Sequence, residues 1–321
     1  MSHCKPYVIG IDMGGNTTDI GVVDSRGKIH ASTSIRTKDY AAEFGDFIDA
    51  LAKAIRQLLG NIGGPQMIAG IGIGAPNANF YSGNIENAAN LPWKGVCPLA
   101  EMLYDRLGIP VAVTNDANAA AIGEMTYGSA RGMRDFIMIT LGTGLGSGIV
   151  INGQLVYGHD GFAGELGHVK VRQGDRLCGC GQKGCLEAYC SANGVARTAR
   201  EWLKTRSDDS SLRNLDPETI TSKEVYEAAM NGDAFSKEIF DYTGQLMGEA
   251  FAEFVCFSSP EAFILFGGLA QAGDLIINPL RKAMEANLLK TWQGKIKIIP
   301  SALKLSEAAI LGAAALGWKA Q

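Results

Sequence analysis

The chain has 321 residues, of which 46% are apolar and 19% charged, and its formal net charge is −4. This length predicts two lobes rather than a single core. The acidic balance excludes a broad basic surface for nucleic acid or an anionic membrane. The apolar stretches are short and interrupted by glycine, and the first residues lack the apolar core of a signal peptide. We therefore expect a cytoplasmic protein without a membrane-spanning segment.

The first part of the chain predicts alternating strands and helices. Apolar runs bounded by turn residues predict strands over residues 7–12, 19–23, 28–36, 67–74 and 111–115. Apolar side chains at helical spacing and a run rich in alanine predict helices over residues 44–58, 98–107 and 117–125. Asp116 stands at the N-cap position of the last of these helices.

The same pattern then begins again. A strand over residues 135–141 leads into a glycine turn and a second strand over 146–151, which ends on Asn152-Gly153, a favoured hairpin turn. Strand, glycine turn and strand also follow one another over residues 7–23. Two copies predict a duplicated α/β unit, and therefore two lobes with a cleft between them. The remainder is predicted to be largely helical, with a strand over 263–266 and a closing helix from residue 306.

The turn after the first strand has the composition of a phosphate-binding loop. Its candidate residues are Asp12, Gly14, Gly15, Asn16 and Thr17. Glycines there let backbone N–H groups face phosphate oxygens, and a carboxylate can hold a hydrated Mg²⁺. No Gly-Lys-Ser/Thr follows, so this is not a Walker loop. A plain glycine hairpin would have the same sequence.

A second glycine turn favours the phosphate interpretation. Gly142, Thr143 and Gly144 repeat the arrangement in the second copy, so two turns could hold one nucleotide triphosphate from both sides. Gly267 and Gly268 follow a predicted strand, where bare backbone would pack against an adenosine.

Asp116 follows a predicted strand and precedes a predicted helix. Ligands of open α/β sheets bind at the carboxyl ends of strands, and a carboxylate facing two phosphate turns suits a general base for a hydroxyl group. A helix N-cap without a catalytic role would have the same sequence.

A histidine and three closely spaced cysteines give the strongest signal. His168, Cys178, Cys180 and Cys185 match a closed, four-ligand structural zinc site, whereas free thiols in a glycine-rich loop are the plain alternative. Glu165 and Glu187 flank this set, and two fixed carboxylates suit a polyhydroxylated ligand. The metal is expected to shape that ligand's pocket without touching phosphate. Trp93 either packs in a loop or forms a wall of the same pocket.

These motifs together resemble the ROK family of repressors and sugar kinases, within the actin-like, hexokinase-like ATPases. The resemblance implies a two-lobed fold of duplicated ribonuclease H-like domains around a central cleft. We place a small N-terminal lobe at residues 1–116, joined by the C-terminal helix of about 306–321. The larger lobe spans residues 117–305 and carries the zinc loop 168–185.

The resemblance also implies roles for individual residues. Asp116 corresponds to the catalytic base and, with Asn90, Asn115, Glu165, His168 and Glu187, to the sugar-binding positions. His168 resembles a residue that gives one ring nitrogen to zinc and the other to the sugar. The implied activity is an ATP- and Mg²⁺-dependent hexose kinase, foremost a glucokinase, in a homodimer. Kinases for N-acetylglucosamine, N-acetylmannosamine, mannose, fructose or allose and a sugar-responsive regulator are the alternatives.

The chain departs from the family pattern at two positions. Asn16 stands in a turn that usually reads Gly-Gly-Thr, so the hydroxyl contact is expected to shift to Thr17. Asn77 stands where the pattern Gly-x-Pro-Gly ends in glycine. Eleven residues precede Asp12 in this sequence, too few for a helix-turn-helix domain. We therefore expect a kinase rather than a repressor.

Overall fold

The computed structural model describes residues 5–174 and 176–320. Residues 1–4 and 321, at the ends of the predicted small lobe and closing helix, and residue 175 of the predicted zinc loop lie outside this description. The strands are β1 (Tyr7–Met13), β2 (Thr18–Asp24), β3 (Ile29–Ile35), β4 (Ile68–Gly74), β5 (Ile85–Glu86), β6 (Val96–Cys97), β7 (Val111–Thr114), β8 (Phe136–Leu141), β9 (Leu145–Ile151), β10 (Gln154–Leu155), β11 (Ala262–Phe266) and β12 (Lys297–Pro300). The α-helices are α1 (Phe44–Gly60), α2 (Leu99–Leu107), α3 (Asp116–Tyr127), α4 (Glu187–Cys190), α5 (Ala192–Thr205), α6 (Ser222–Met230), α7 (Ala234–Ser258), α8 (Asp274–Asn287) and α9 (Leu305–Gly317).

Two five-stranded sheets have the same topology. The first has the order β3-β2-β1-β4-β7 and the second the order β10-β9-β8-β11-β12. In each sheet the first three strands in sequence form antiparallel pairs. The fourth strand pairs parallel with the first, and the fifth pairs parallel with the fourth. The predicted duplication of an α/β unit is confirmed by this shared order.

Helices α3 and α9 lie between the two sheets. Helix α9 packs on β1 and β4 of the first sheet, helix α3 packs on β9 of the second, and the two helices pack on each other. Bare backbone permits this closeness: a Cβ at Gly312 of α9 would lie 2.6 Å from the carbonyl oxygen of Ala119 in α3. The last helix of the chain is therefore in contact with the first sheet, while the predicted boundary at residue 116 stays a prediction.

Each sheet has one face toward the pair of helices α3 and α9 and one face toward the other helices of its own copy, and alternating side chains of a strand belong to different apolar clusters. In β8, Phe136 and Met138 face α3, whereas Ile137 and Ile139 belong to the apolar cluster formed with α5, α7 and α8. In β1, Ile9 and Ile11 likewise pack with α1 and α2. Side chains alternate between the two faces of a strand, so the central strands of both sheets are covered on both sides and mostly buried. The edge strand β3 differs, because its residues alternate between exposed and half-buried.

Most of the predicted elements are confirmed. The hairpin turn at Asn152-Gly153 joins β9 to β10 with φ values of 54° and 75°, as the sequence predicts for this dipeptide. The short strands β5, β6 and β12 were not predicted. No helix in the described part of the chain combines the length and the apolar character that a membrane crossing requires.

Candidate active site

Asp116 lies at the junction of β7 and α3. The structure moves the predicted N-cap by one residue, because Asn115 caps the helix: its Oδ1 accepts the N–H of Asn118 at 2.7 Å. Asp116 is the first helical residue, and its Oδ1 accepts the N–H of Ala117 at 2.8 Å. Since Asn115 uses its oxygen in the cap, its amide NH₂ is the group that can donate to a ligand.

Two carboxylates meet at this end of the cleft. Desolvation by the surrounding protein raises the pKa of Asp12 to about 6, and the charges of Asp116 and Asp19 add to the shift. Desolvation also raises the pKa of Asp116, against the hydrogen bond from Ala117. Carboxylates held in this way accept a proton readily or attract a cation, which are the two tasks expected at a phosphoryl-transfer site.

The first glycine turn reaches the cleft through Asp12. The N–H of Gly14 donates to the carbonyl of Thr17 at 2.9 Å, which closes a tight turn. A Cβ at Gly15 would overlap the carbonyl oxygen of Asn90, so this turn packs on the segment that carries Asn90. Asp12 borders the cleft, whereas Gly14, Gly15, Asn16 and Thr17 do not, and their contact with phosphate stays a prediction.

The second glycine turn borders the cleft directly. Gly142, Thr143 and Gly144 connect β8 to β9, and the N–H of Gly142 donates to the carbonyl of Gly144 at 3.1 Å. Gly267 approaches from the end of β11 with a φ of 109°, where a Cβ would overlap the backbone of Leu141. Gly267 borders the cleft, but Gly268 does not, and its predicted contact with adenosine stays a prediction.

The residues predicted to bind a sugar come together at the same cleft. All six border it: Asn90, Asn115, Asp116, Glu165, His168 and Glu187. The Nε2 atom of His168 lies 3.9 Å from Oε2 of Glu165. Desolvation raises the pKa of Glu165, the interaction with His168 opposes the shift, and the charges of Asp116 and Glu187 add to it. The cleft has a volume of about 530 Å³, which suits a small ligand.

The predicted metal ligands form one cluster. The ligand atoms of His168, Cys178, Cys180 and Cys185 all lie within 4.8 Å of one another. Cys178 Sγ is 3.6 Å from His168 Nδ1, and Cys180 Sγ is 3.7 Å from Cys185 Sγ. A tetrahedral zinc ion with Zn–S bonds of about 2.3 Å needs sulfur atoms about 3.8 Å apart. This donor set therefore fits zinc in both chemistry and spacing.

Glu187 connects the metal cluster to the second glycine turn. Its Oε1 lies 3.2 Å from Cys178 Sγ, while its Oε2 accepts the N–H of Leu145 at 2.9 Å. A Cβ at Gly144 would lie 2.5 Å from the same Oε2. The metal cluster and the second glycine turn are therefore linked through Glu187, while the expectation that the metal does not touch phosphate stays a prediction.

Several residues of the cleft were missed in the sequence. The set includes Thr140, Ser147, Phe266, Ala308 and Ala309. Asn77, which the sequence marked as a departure from the family pattern, also borders the cleft. Asn77 has a φ of 52°, a left-handed conformation that asparagine tolerates, so it preserves the backbone shape that a glycine would adopt there. Ser147 carried a usable signal, since it is the one hydroxyl residue in the apolar and glycine-rich strand β9.

Trp93 is part of the core rather than a wall of the cleft. Its ring packs against Phe44 and Phe47, and its Nε1 donates to the carbonyl of Tyr40 at 3.0 Å. The segment that it anchors holds Asn90 at the cleft.

Comparison with known proteins extends these observations to the whole chain. The family model described as the ROK family matches residues 8–320. A glucokinase of Thermotoga maritima is 35% identical over 318 residues, which are 97% of each chain. A ROK family glucokinase from Streptomyces griseus, solved in complex with glucose and AMPPNP, superposes with a TM-score of 0.78 at 32% identity, covering 98% of this chain and 99% of that one. The ROK hexokinase from Thermus thermophilus gives a TM-score of 0.82 at 28% identity, covering 98% of both chains. These relatives confirm the predicted actin-like, hexokinase-like fold.

Proposed function

Because this chain belongs to the ROK family, we propose that it transfers the γ-phosphoryl group of ATP to a hexose, foremost to the 6-hydroxyl of glucose. Glucose 6-phosphate and ADP are the products. One observation carries the proposal: the six sugar-binding candidates and the second glycine turn border a single cleft, in a chain that resembles glucokinases over almost its full length. The Streptomyces griseus neighbour binds glucose and an ATP analogue together.

Asp116 is the catalytic base in this proposal. It stands at the end of β7 in the cleft, and desolvation raises its pKa, which makes the carboxylate a better acceptor for the proton of the sugar hydroxyl. Glu165 and Glu187 accept hydrogen bonds from other hydroxyls, while the amide groups of Asn90 and Asn115 donate. His168 directs Nδ1 toward the cysteines and Nε2 toward the cleft.

The nucleotide occupies the end of the cleft that is bordered by Asp12 and the second glycine turn. Backbone N–H groups of residues 142–144 would meet its phosphate oxygens, and Gly267 would allow the nucleoside to lie on bare backbone. Asp12 would hold a hydrated Mg²⁺, which neutralises charge on the phosphates when it is bound. Positioning and charge neutralisation are the main requirements of phosphoryl transfer.

A structural zinc ion completes the proposed site. His168, Cys178, Cys180 and Cys185 would hold it in a closed tetrahedral set, without an open position for chemistry. What the protein gains is a fixed orientation for His168 and for the segment that leads into Glu187. A homodimer, implied by the family, stays a prediction.

A sugar panel in a coupled assay of ADP release tests the function. Glucose should give the highest kcat/KM among glucose, mannose, fructose, allose, N-acetylglucosamine and N-acetylmannosamine. A clear preference for another of these sugars would support the kinase activity and change its proposed substrate. No sugar-dependent ADP release, together with measurable sugar binding in calorimetry, would favour a regulator instead.

The zinc assignment has its own test. Cys180→Ser removes one of the four proposed ligands and should lose the metal. Sugar affinity should then fall by about tenfold or more, because even the loss of groups that only support metal ligands costs about 10- to 100-fold in metal affinity or activity. Affinity for an ATP analogue should also fall, because Glu187 is in contact with the second glycine turn. Cys256→Ser is the matched control, being an exposed cysteine outside the cluster. Metal analysis and separate titrations of sugar and AMPPNP decide the matter. A wild-type zinc content near zero would contradict the site.

A further inference from the structure

Glu165 occupies a very tight turn. Its φ and ψ angles are −80° and 52°, and the N–H of Leu166 donates to the carbonyl of Gly164 at 2.9 Å. These values describe an inverse γ-turn with Glu165 at its centre. The position of the carboxylate in the cleft therefore depends on how the two peptide groups on either side of Glu165 are held.

One hydroxyl group joins both ends of this turn. Ser147 Oγ donates to the carbonyl of Gly164 and accepts the N–H of Leu166 at 3.1 Å. Its residue is 3% exposed and belongs to β9, the strand that starts directly after the second glycine turn. A hydroxyl can donate once and accept as well, so Ser147 satisfies both peptide groups with one side chain.

The backbone around this hydroxyl leaves the turn in close contact with β9. A Cβ at Gly167 would overlap the carbonyl oxygen of Leu145, and a Cβ at Gly164 would lie 3.4 Å from the carbonyl oxygen of Ser147. The turn therefore rests on the strand by backbone contact, and the Ser147 hydroxyl provides the directional bonds that fix its register on that strand.

We propose that Ser147 is a positioning residue for sugar recognition. By fixing the γ-turn, it holds the Glu165 carboxylate where that group can accept hydrogen bonds from the sugar hydroxyls. The proposal deepens the proposed hexose kinase function and rests on it. Ser147 acts through the γ-turn and not through the nucleotide, since both of its hydrogen bonds go to residues 164 and 166. Its loss should therefore separate sugar affinity from ATP affinity.

Substitution of Ser147 tests this separation. Ser147→Ala removes two hydrogen bonds from a buried site, and we expect the dissociation constant for glucose to rise about tenfold. The KM for ATP should change less than about twofold, since neither bond leads to the nucleotide turn. Ser147→Thr keeps the hydroxyl and should restore most of the affinity. Ser236→Ala is the matched control: it is a buried serine in α7 whose Oγ has no hydrogen-bond partner within the described residues.

Calorimetric titration of glucose without nucleotide, KM values for both substrates and urea unfolding should be measured on every variant. If Ser147→Ala fails to fold, Ser147→Cys keeps the volume and weakens both bonds, and it should show the same selective loss. Unchanged glucose affinity in a folded Ala or Cys variant would overturn the proposal. Equal losses for glucose and ATP would also overturn it, by making Ser147 a general structural residue. A wild-type protein that binds no hexose would instead refute the proposed function itself; if it binds another hexose, the same titrations use that sugar.

Discussion

Single carboxylates account for the proposed chemistry. Asp12 lies at the carboxyl end of β1, and Asp116 follows the carboxyl end of β7 in the same sheet. Each is costly to ionise because the cleft is partly desolvated, and the charge of Asp116 adds to the raised pKa of Asp12. A cation held by Asp12 would relieve that repulsion and leave Asp116 free to accept the proton of a substrate hydroxyl.

Replacement of the proposed base should affect turnover far more than binding. Asp116→Asn keeps the size of the side chain and can still accept the N–H of Ala117, so the fold should persist. We expect kcat to fall by about a hundredfold or more, the usual scale for loss of a general base. Steady-state kinetics, with glucose titration as the control for binding, measure both effects. Turnover near the wild-type value would contradict the role of Asp116.

The raised pKa of Asp12 predicts a pH effect on magnesium. Below pH 6 the carboxyl binds a proton that Mg²⁺ must displace, so the apparent affinity for Mg²⁺ should fall by about tenfold per pH unit. Folding stability has the opposite sign: the folded pKa of about 6 exceeds the unfolded value of 3.8, so this group favours the folded state increasingly as pH falls from 6 toward 4.

Magnesium titrations of ATP turnover between pH 5.5 and 7.5 measure this dependence, a range chosen to bracket a pKa of about 6. Urea unfolding at the same pH values is the control for stability. In Asp12→Asn the Mg²⁺ affinity should be low at every pH, and the fall in affinity with decreasing pH should disappear. A fall in Mg²⁺ affinity of the same size in that variant would show that another group titrates.

At this scale the sequence identified the chemistry of the site better than its local geometry. Asp116 was expected at the helix N-cap, but Asn115 holds that position. Both residue types are good caps, so the residues alone could not decide between them. The difference matters for the proposed function. The cap uses the side-chain oxygen of Asn115, so the Asp116 carboxylate is not needed as the cap.

Among the elements, the β8–β9 turn would serve two ligands at once in the proposed function. Its glycines face the proposed phosphates, and the same backbone is tied to Glu187 through the N–H of Leu145. Such a bond to a carboxylate contributes about 1.5–3 kcal/mol. This bond joins the turn to the metal loop, and in the proposed function it would link sugar binding to nucleotide binding.

Substitutions of two glycines in this turn can distinguish its role in sugar binding from its role in nucleotide binding. Gly144→Val would place a Cβ 2.5 Å from Glu187 Oε2 and displace that carboxylate. Loss of its bond should weaken both glucose and AMPPNP binding by about tenfold or more. Gly142→Ala is the contrast, because a Cβ there meets no protein atom within 4 Å. It should weaken AMPPNP alone, by contact with the nucleotide.

Separate titrations of both ligands on both variants, with circular dichroism to verify folding, provide the measurement. Unchanged AMPPNP affinity in folded Gly142→Ala and Gly144→Val would count against a phosphate site at this turn. Unchanged glucose affinity in Gly144→Val would mean that Glu187 can move without cost to the sugar.

The elements differ in how far the sequence could reveal them. The proposed metal ligands lie within 18 residues of one another, and closely spaced thiols separated by glycines are typical of a structural zinc loop. The strand–turn–strand repeats were equally visible, since their apolar period is local. The contact of Glu187 with Leu145 was not, because it joins residues 42 positions apart through the fold.

At the scale of the whole molecule, two copies of one sheet face each other across a pair of helices. The order of strands could be anticipated as a duplication, but the packing between the copies could not. Phe80 stacks on Tyr157 with ring centroids 4.0 Å apart, and Tyr81 Oη donates to the carbonyl of Gly158 at 3.0 Å. These contacts join a loop after β4 to the segment after β10, and nothing local in either segment indicates the partner.

The crossing of α3 and α9 depends on glycine in the same long-range way. A Cβ at Gly312 would lie 2.6 Å from the Ala119 carbonyl oxygen and 3.1 Å from the Ala120 nitrogen. Both neighbours are backbone atoms of a helix, so they cannot rotate away as a flexible side chain would. The two helices would have to separate, and with them the two sheets that they hold.

Gly312→Ala sets helix propensity against this crowding. Alanine favours a helix interior over glycine by about 1 kcal/mol, whereas overpacking a buried contact costs about 1–3 kcal/mol and sometimes more. Since the clash is with backbone on both sides, we expect crowding to win and the free energy of unfolding to fall by about 1–2 kcal/mol. Gly45→Ala in α1 is the matched control, because its Cβ would meet no atom within 4 Å, and it should be neutral or slightly stabilising. Urea unfolding of both variants measures the difference, and glucose and ATP kinetics report whether the cleft has opened. A Gly312→Ala protein as stable as Gly45→Ala would mean that the helices part without cost, and that their close crossing is not what holds the sheets together.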